Sequence, residues 1–133
     1  MRNYEIGSDG ELFTVTIAGT EAFLSPVIPF AAAQALTGAG AANVTSYYTA
    51  WTTSSTDALT LAAGTVKGQL KKIQMIVDGG TGTLTIANPV SSSLDVWSFA
   101  DAGDFIVLIW TGTAWAIIEA GNAADGATAP TVS

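Results

Sequence analysis

The sequence predicts an all-β protein organised as an antiparallel β-sandwich, and three observations lead there. From Leu59 to Glu119, short apolar runs alternate with Gly-rich turns and few charges interrupt them. Within that stretch, Phe105-Ile-Val-Leu-Ile-Trp110 and Trp115-Ala-Ile-Ile118 flank the four-residue break Thr111-Gly-Thr-Ala114, and a tight hairpin turn is what fits between two such runs. Ala31 to Leu36 is the one segment with helix-forming character. With Trp110 opposite Trp115, one face of the hairpin carries Ile106, Leu108, Trp110, Trp115 and Ile117, and the other carries Phe105, Val107, Ile109, Ala116 and Ile118. Both faces are apolar. A hairpin with one wet face alternates polar and apolar residues, so this one is expected to be covered twice: by a sandwich partner, and by either the N-terminal segment or another subunit.

The elements follow in order. Residues 1 to 10 are polar and end in the turn signal Ser8-Asp9-Gly10, after which Leu12 to Ile17 alternates as a strand closed by Gly19. Glu21 to Phe30 contains Pro26 and Pro29, each of which removes a ladder donor, so the segment reads as an extended arm or connector. Ala31 to Leu36, with Gly38 placed as a C′ glycine, leaves a turn or two of helix open. Gly38 to Asp57 is rich in Ala, Thr, Ser and Gly and holds Tyr47, Tyr48 and Trp51, a composition suited to strands and loops. Leu59 to Leu61 is a short strand, and Gln69 to Val77 is another with Ile73, Met75 and Val77 on one face. Asp78-Gly-Gly-Thr-Gly82 then reverses the chain into Thr83 to Ala87, with Leu84 and Ile86 inward and threonines outward. Asn88 to Ser93 connects to a strand at Leu94 to Phe99, and Ala100 to Asp104 turns into the hairpin. The expected organisation is a single β domain over 1–121, with 1–45 as a candidate N-terminal arm and 46–121 as the sandwich core, followed by a flexible or extended tail over 122–133.

Composition narrows the function. A chain of 133 residues is one domain by length, and 49% hydrophobic with 11% charged residues and mean hydropathy +0.43 is apolar enough that part of the surface is expected to meet protein. Four basic against eleven acidic residues give a net charge of −7, and there is no Lys/Arg patch to displace counterions, so nucleic acid is not an expected partner. The cluster Lys67, Lys71 and Lys72 reads as a solvated strand end or edge guard, or a contact to an acidic partner. With no Cys and no His, thiol nucleophiles, disulfides, Ser-His-Asp triads and His/Cys metal sites are all excluded. Arg2 is followed by Glu5, Asp9 and Glu11, unlike the basic start of a signal peptide, so export by that route is not expected. Phe105 to Ile118 is shorter than the roughly 20 residues that span a bilayer and is broken by Thr-Gly-Thr, so no membrane span is expected.

Few constellations suggest chemistry. Asp101 and Asp104 could in principle bind Ca²⁺ or act as acid and base in a small hydrolase, but two carboxylates fall short of a calcium loop, and Asp and Gly are ordinary turn residues. Asp78 reads the same way. The loop at Gly79-Gly80 lacks the Lys-Ser/Thr of a phosphate cradle, and Ser91 to Ser93 have no His to activate them. Tyr47, Tyr48 and Trp51 suit either partly buried sandwich positions or a sugar-stacking platform. No catalytic residue, cofactor or metal is assigned, and the expected protein is not an enzyme.

Gly68 to Ile73, Gly79-Gly-Thr-Gly-Thr-Leu-Thr85, Phe99-Ala-Asp-Ala-Gly-Asp104 and Leu108-Ile-Trp-Thr-Gly-Thr-Ala-Trp-Ala-Ile-Ile118, in that order, resemble a module of tailed-bacteriophage virion proteins: capsid cement or decoration proteins and head-fibre or knob domains. The resemblance covers Leu59 to Glu119 and rests on turn and core residues; Thr111 stands where Asn or Asp is expected. It implies a jelly-roll-like sandwich, commonly a homotrimer, bound to the major capsid protein on the virion surface after synthesis in the host cytoplasm. It also implies a structural role, the stabilisation of an assembled shell; the alternative is a carbohydrate-binding or host-attachment module of a head fibre or tail. Tyr47, Tyr48, Trp51, Ile106, Leu108, Trp110 and Trp115 are the candidate subunit or capsid interface.

Overall fold

Alternating side chains and frequent Gly, Thr and Ser breaks keep every element short, and the fold is all-β. The structure, a computed structural model, describes residues 31–126 and 129–133, together with the backbone of three short strands before them. Those are β1 (Tyr4–Glu5), β2 (Thr14–Ile17) and β3 (Thr20–Phe23), an antiparallel sheet of their own in which Val15 lies opposite both Tyr4 and Ala22. The Ser8-Asp9-Gly10 turn and the Pro26/Pro29 connector lie outside the described residues.

Ten strands make the sandwich: β4 (Gln34–Thr37), β5 (Gly40–Ala42), β6 (Tyr48–Thr52), β7 (Asp57–Leu61), β8 (Leu70–Val77), β9 (Gly82–Ile86), β10 (Val96–Phe99), β11 (Asp104–Trp110), β12 (Trp115–Asn122) and β13 (Thr131–Val132). Among the described residues the one helical turn is a 3₁₀ turn, Ser92–Leu94, capped by the Ser91 side chain, which accepts from Ser93 N. The first sheet has the order β12-β11-β8-β6-β4 and the second β13-β10-β9-β7-β5. Their facing sides interleave in one core, in which Trp51, Leu59, Ile73, Met75, Leu84, Phe99, Ile106, Leu108 and Trp115 are fully buried. Each such side chain contributes about 1.5–3 kcal/mol through the apolar area removed from water.

The sandwich differs from the antiparallel jelly roll in how its strands pair. From β4 to β9 the chain crosses to the opposite sheet after every strand, so β4, β6 and β8 are parallel in the first sheet and β5, β7 and β9 are parallel in the second. The sheets are therefore mixed, with the antiparallel pairs supplied by β10 to β13. Three successive turns stack where the chain crosses, at 38–39, 53–56 and 78–81: Gly38 N donates to Thr52 O, Thr53 N to Val77 O, and Asp57 N to Thr81 O. This corrects the expected hairpin at Asp78–Gly82, because β9 pairs with β7 and β10, not with β8. The glycines there serve close approach. A Cβ on Gly79 would stand 2.2 Å from Thr53 O, and one on Gly80 would stand 2.7 Å from Ser55 O.

Two further expectations change, and the tail takes the extended of its two expected forms. Ala31–Leu36 is not helical: Gln34–Thr37 is a strand whose parallel partner is β6, and Gly38 at φ +77° makes the first of the stacked turns. The sandwich accordingly begins at Gln34 and not at residue 46. At the other end β12 runs on to Asn122, Pro130 is buried, and Thr131–Val132 pairs with Ser98 and Trp97, so the end of the tail is an extended edge strand.

Candidate functional site

The hairpin pairs as its sequence demands, with Trp110 opposite Trp115 and their rings edge to face at 5.3 Å. Its inner face is covered by the second sheet of the same chain. Ile106, Leu108 and Trp115 are fully buried, Trp110 nearly so, and the Trp115 indole N–H donates to Ala62 O at 2.8 Å. Trp51 is also fully buried, edge to face with Phe99 and donating from its indole to Gly38 O. These five side chains are thus core rather than interface, a correction with a simple cause: each sits on the inward parity of its strand. Trp51 does not stand with Tyr47 and Tyr48 on a shared platform. Tyr48 is on the opposite face of β6 and donates to Gln74 Oε1 at 2.9 Å, and burial raises its phenol above the ordinary tyrosine range.

The outer face of the first sheet is what remains of the expected double coverage. Register brings Phe105, Gln74 and Ala50 into one row, Val107, Lys72 and Tyr48 into a second, and Ile109 with Leu70 and Ala116 into a third. Phe105, Val107, Ile109 and Ala116 are half-buried, while Leu70 and Ile76 are 36% and 47% exposed. A β-bulge between Val107 and Leu108 leaves Ile118 out of the ladder and 55% exposed. The Lys72 ammonium sits 4.7 Å over the Phe105 ring, its stem lying along the apolar surface. The face is thus mostly apolar over β11 and β12, with Lys72, Gln74 and Glu119 as polar groups there and Tyr48, Thr52 and Thr37 toward the β4 edge. Contiguous faces of this kind mark protein contact.

The acidic groups do structural work. Asp104 is fully buried; its Oδ2 accepts from Ala100 N at 2.9 Å and Asp101 N at 3.1 Å, and its Oδ1 accepts from Asn122 Nδ2 at 3.0 Å. Asp57 ties down the stacked turn at Ser54 and Ser55, accepting from Ser54 N at 2.8 Å. Asp78 accepts from Gly80 N. Ser91 and Ser93 bond to each other at 2.9 Å. Among the described residues no group of three or more His, Cys, Asp or Glu side chains gathers around one point, and no buried side-chain nitrogen or oxygen lacks a hydrogen-bond partner. No described helix is long and apolar enough to cross a membrane.

Lys71 overturns the reading of the basic cluster. It is 1% exposed, and its ammonium donates to Thr49 Oγ1 at 2.7 Å, Ser46 O at 3.1 Å and Ser46 Oγ at 3.5 Å. Desolvation lowers its pKa to about 8. The signal was present in the sequence, since Lys71 shares the parity of Ile73 and Met75, but a lysine on an apolar parity is ordinarily assigned to the strand end. Beside it, the loops before β6 and β8 enclose a groove of about 460 Å³ lined by Val44, Tyr47, Val66, Lys67, Gln69 and Leu70 among others. Gln69 closes one wall, its amide bonding to Val44 O and its Oε1 accepting from Thr65 N.

No protein-family model matches the chain, and no curated protein sequence matches it.

Proposed function

We propose that this chain is a non-enzymatic structural protein of a tailed-phage virion, a cement or decoration protein that assembles as a homotrimer and binds the assembled capsid shell. The observation that favours this reading is the outer face of the first sheet, where Phe105, Val107, Ile109, Leu70, Ile76 and Ile118 lie partly in water around Lys72 and Gln74. Burying a large apolar side chain gains about 1.5–3 kcal/mol, so covering this face by protein is worth several times the energy of an isolated contact. The dispositions of Asp57, Asp104 and Lys71 agree with it, because each is held by bonds that serve the fold. The phage assignment itself rests on the resemblance of the turn and hairpin motifs between Leu59 and Glu119.

Co-sedimentation tests the proposal. Purified protein mixed with shells that lack it should pellet with them and raise the temperature at which they come apart, whereas Ile118→Glu with Ile76→Glu should weaken pelleting while leaving the monomer fold intact. A wild-type protein that is monomeric in solution and stays in the supernatant defeats the proposal. A second reading, a glycan-binding attachment module, draws on the groove beside Tyr47. It requires glycan-array binding that is lost in Tyr47→Ala.

A further inference from the structure

Charge is sorted by the two ends of the sandwich. Asp57, Asp78, Asp101, Asp104 and Asp125 sit where β7 and β11 begin and where β8 and β12 end, beside the stacked turns. Lys67, Lys71 and Lys72 lie in the loop before β8 and in its first three residues, at the opposite end. There the groove between the loops before β6 and β8 has Lys67 in its lining, and the buried Lys71 ammonium is bonded to Ser46, another lining residue. The remaining described carboxylates are Asp95, before β10 in the second sheet, and Glu119 in β12, and none of the described carboxylates lines the groove. In a chain of net charge −7 the groove therefore carries the opposite sign to the molecule. Its walls are otherwise apolar: Val44 and Leu70 line it, and Val66, at 66%, is the most exposed large hydrophobic side chain described.

We propose that this groove binds a short extended segment of a partner protein in which apolar side chains alternate with Asp or Glu. Charge complementarity selects the acids, because Lys67 is exposed at the groove and Lys71 adds a second positive charge behind the lining. The walls select the apolar side chains, since Val66 and Leu70 are left partly in water until something covers them. An extended segment presents both, because successive side chains of an extended chain point to opposite sides. A volume of about 460 Å³ suits a few side chains and not a folded domain, and falls within the roughly 300–1,000 Å³ of ligand pockets. A glycan fits less well. Sugar hydroxyls need convergent polar partners, and those of this groove are engaged in the fold: the Gln69 amide bonds to Val44 O, Gln69 Oε1 accepts from Thr65 N, and Ser46 Oγ donates to Asn43 Oδ1.

The inference rests on the proposed function in taking the partner to be a protein, and its test uses the purified full-length chain without shells. The probe is a fluorescein-labelled peptide of alternating Leu and Glu, compared by anisotropy with its Leu-Gln and Leu-Lys counterparts. The Leu-Glu peptide should bind best, and its binding should weaken in about 1 M salt, where the Debye length is about 3 Å. Lys67→Met should weaken it about two- to five-fold, the range of one exposed ion pair. Lys67→Glu should reverse the ranking in favour of the Leu-Lys peptide. Lys67 is exposed in a loop, so neither change reaches the core. Equal binding of the Leu-Glu and Leu-Gln peptides, no binding of either, or a ranking that Lys67→Glu leaves unchanged overturns the proposal. Tighter binding of an oligogalacturonate, lost in Lys67→Glu, overturns it in favour of an acidic glycan. Pelleting with shells is read separately. If the peptides fail while the wild type still pellets, the groove assignment falls and the structural reading stands; if the peptide ranking holds while pelleting fails, the structural reading falls and the groove assignment stands.

Discussion

Replacing Lys71 by Met is expected to change how stability depends on pH, and the direction follows from the buried amine. In the folded chain the pKa is about 8, lowered by desolvation from 10.5. A shift of that size corresponds to about 3 kcal/mol, because each pKa unit is about 1.4 kcal/mol. The sign comes from counting protons. Below pH 8 the amine is charged in both states, and the folded state bears the full cost of holding an ammonium out of water. Between pH 8 and 10.5 the folded chain has released its proton while the unfolded chain retains it, so the unfolded state binds more protons and stability rises with pH, by at most about 1.4 kcal/mol per unit. The raised Tyr48 pKa acts in the opposite sense above about pH 10, where the unfolded phenol ionises first, so the window to read is pH 8 to 9.5. Lys71→Met keeps the stem and removes the charge. All three ammonium bonds are lost, but Thr49 Oγ1 still donates to Gln34 Oε1 and Ser46 Oγ to Asn43 Oδ1, so the acceptor that loses its side-chain partner is Ser46 O, at about 1–3 kcal/mol. Near pH 7 the variant should therefore be at least as stable as wild type within about 1 kcal/mol, and its unfolding free energy from urea titrations should be flat across the window where the wild type climbs. A wild type that shows no rise, or a variant that rises equally, refutes the assignment of the slope to this amine.

Other outcomes follow from the packing. Gly82→Ala places a methyl 2.3 Å from Trp51 Cη2, a fully buried ring already packed on Phe99, and should cost about 1–3 kcal/mol in urea midpoint experiments. Asp104→Asn can keep its amide oxygen on Ala100 N and Asp101 N but then turns its NH2 toward the donating Asn122 Nδ2, and should lower stability by about 1–3 kcal/mol, read as a fall in Tm. Chelator treatment should leave Tm unchanged; a drop of more than about 5 °C, roughly 1–2 kcal/mol for a domain of this size, would reveal a structural cation.

Side-chain parity was readable along single strands. Phe105 to Trp110 and Trp115 to Ile118, joined by Thr111-Gly-Thr-Ala114, specified a hairpin and its register from Trp110 opposite Trp115 to Leu108 opposite Ile117, because a two-residue period and a short loop leave one solution, but not the bulge that pairs Val107 with Glu119 and leaves Ile118 outside the ladder. The all-β class, Leu84 and Ile86 as inward residues of β9, and turn roles for Asp101 and Asp104 were readable for the same local reason. What the sequence did not determine is which strand lies beside which. Asp78-Gly-Gly-Thr-Gly82 has the composition of a hairpin loop, yet it carries the chain across to the other sheet, because Gly79 and Gly80 answer to the backbone of Thr53 and Ser55, some twenty-five residues away in sequence. Gln34–Thr37 became a strand through pairing with β6, a tertiary contact that overrides the helical preference of Ala and Leu. The apolar parity of Lys71 and the inward burial of Trp51 likewise depended on the second sheet arriving opposite them. Local pattern decides which side chains share a face; only the folded chain decides what that face meets, since coverage depends on contacts between residues far apart in sequence.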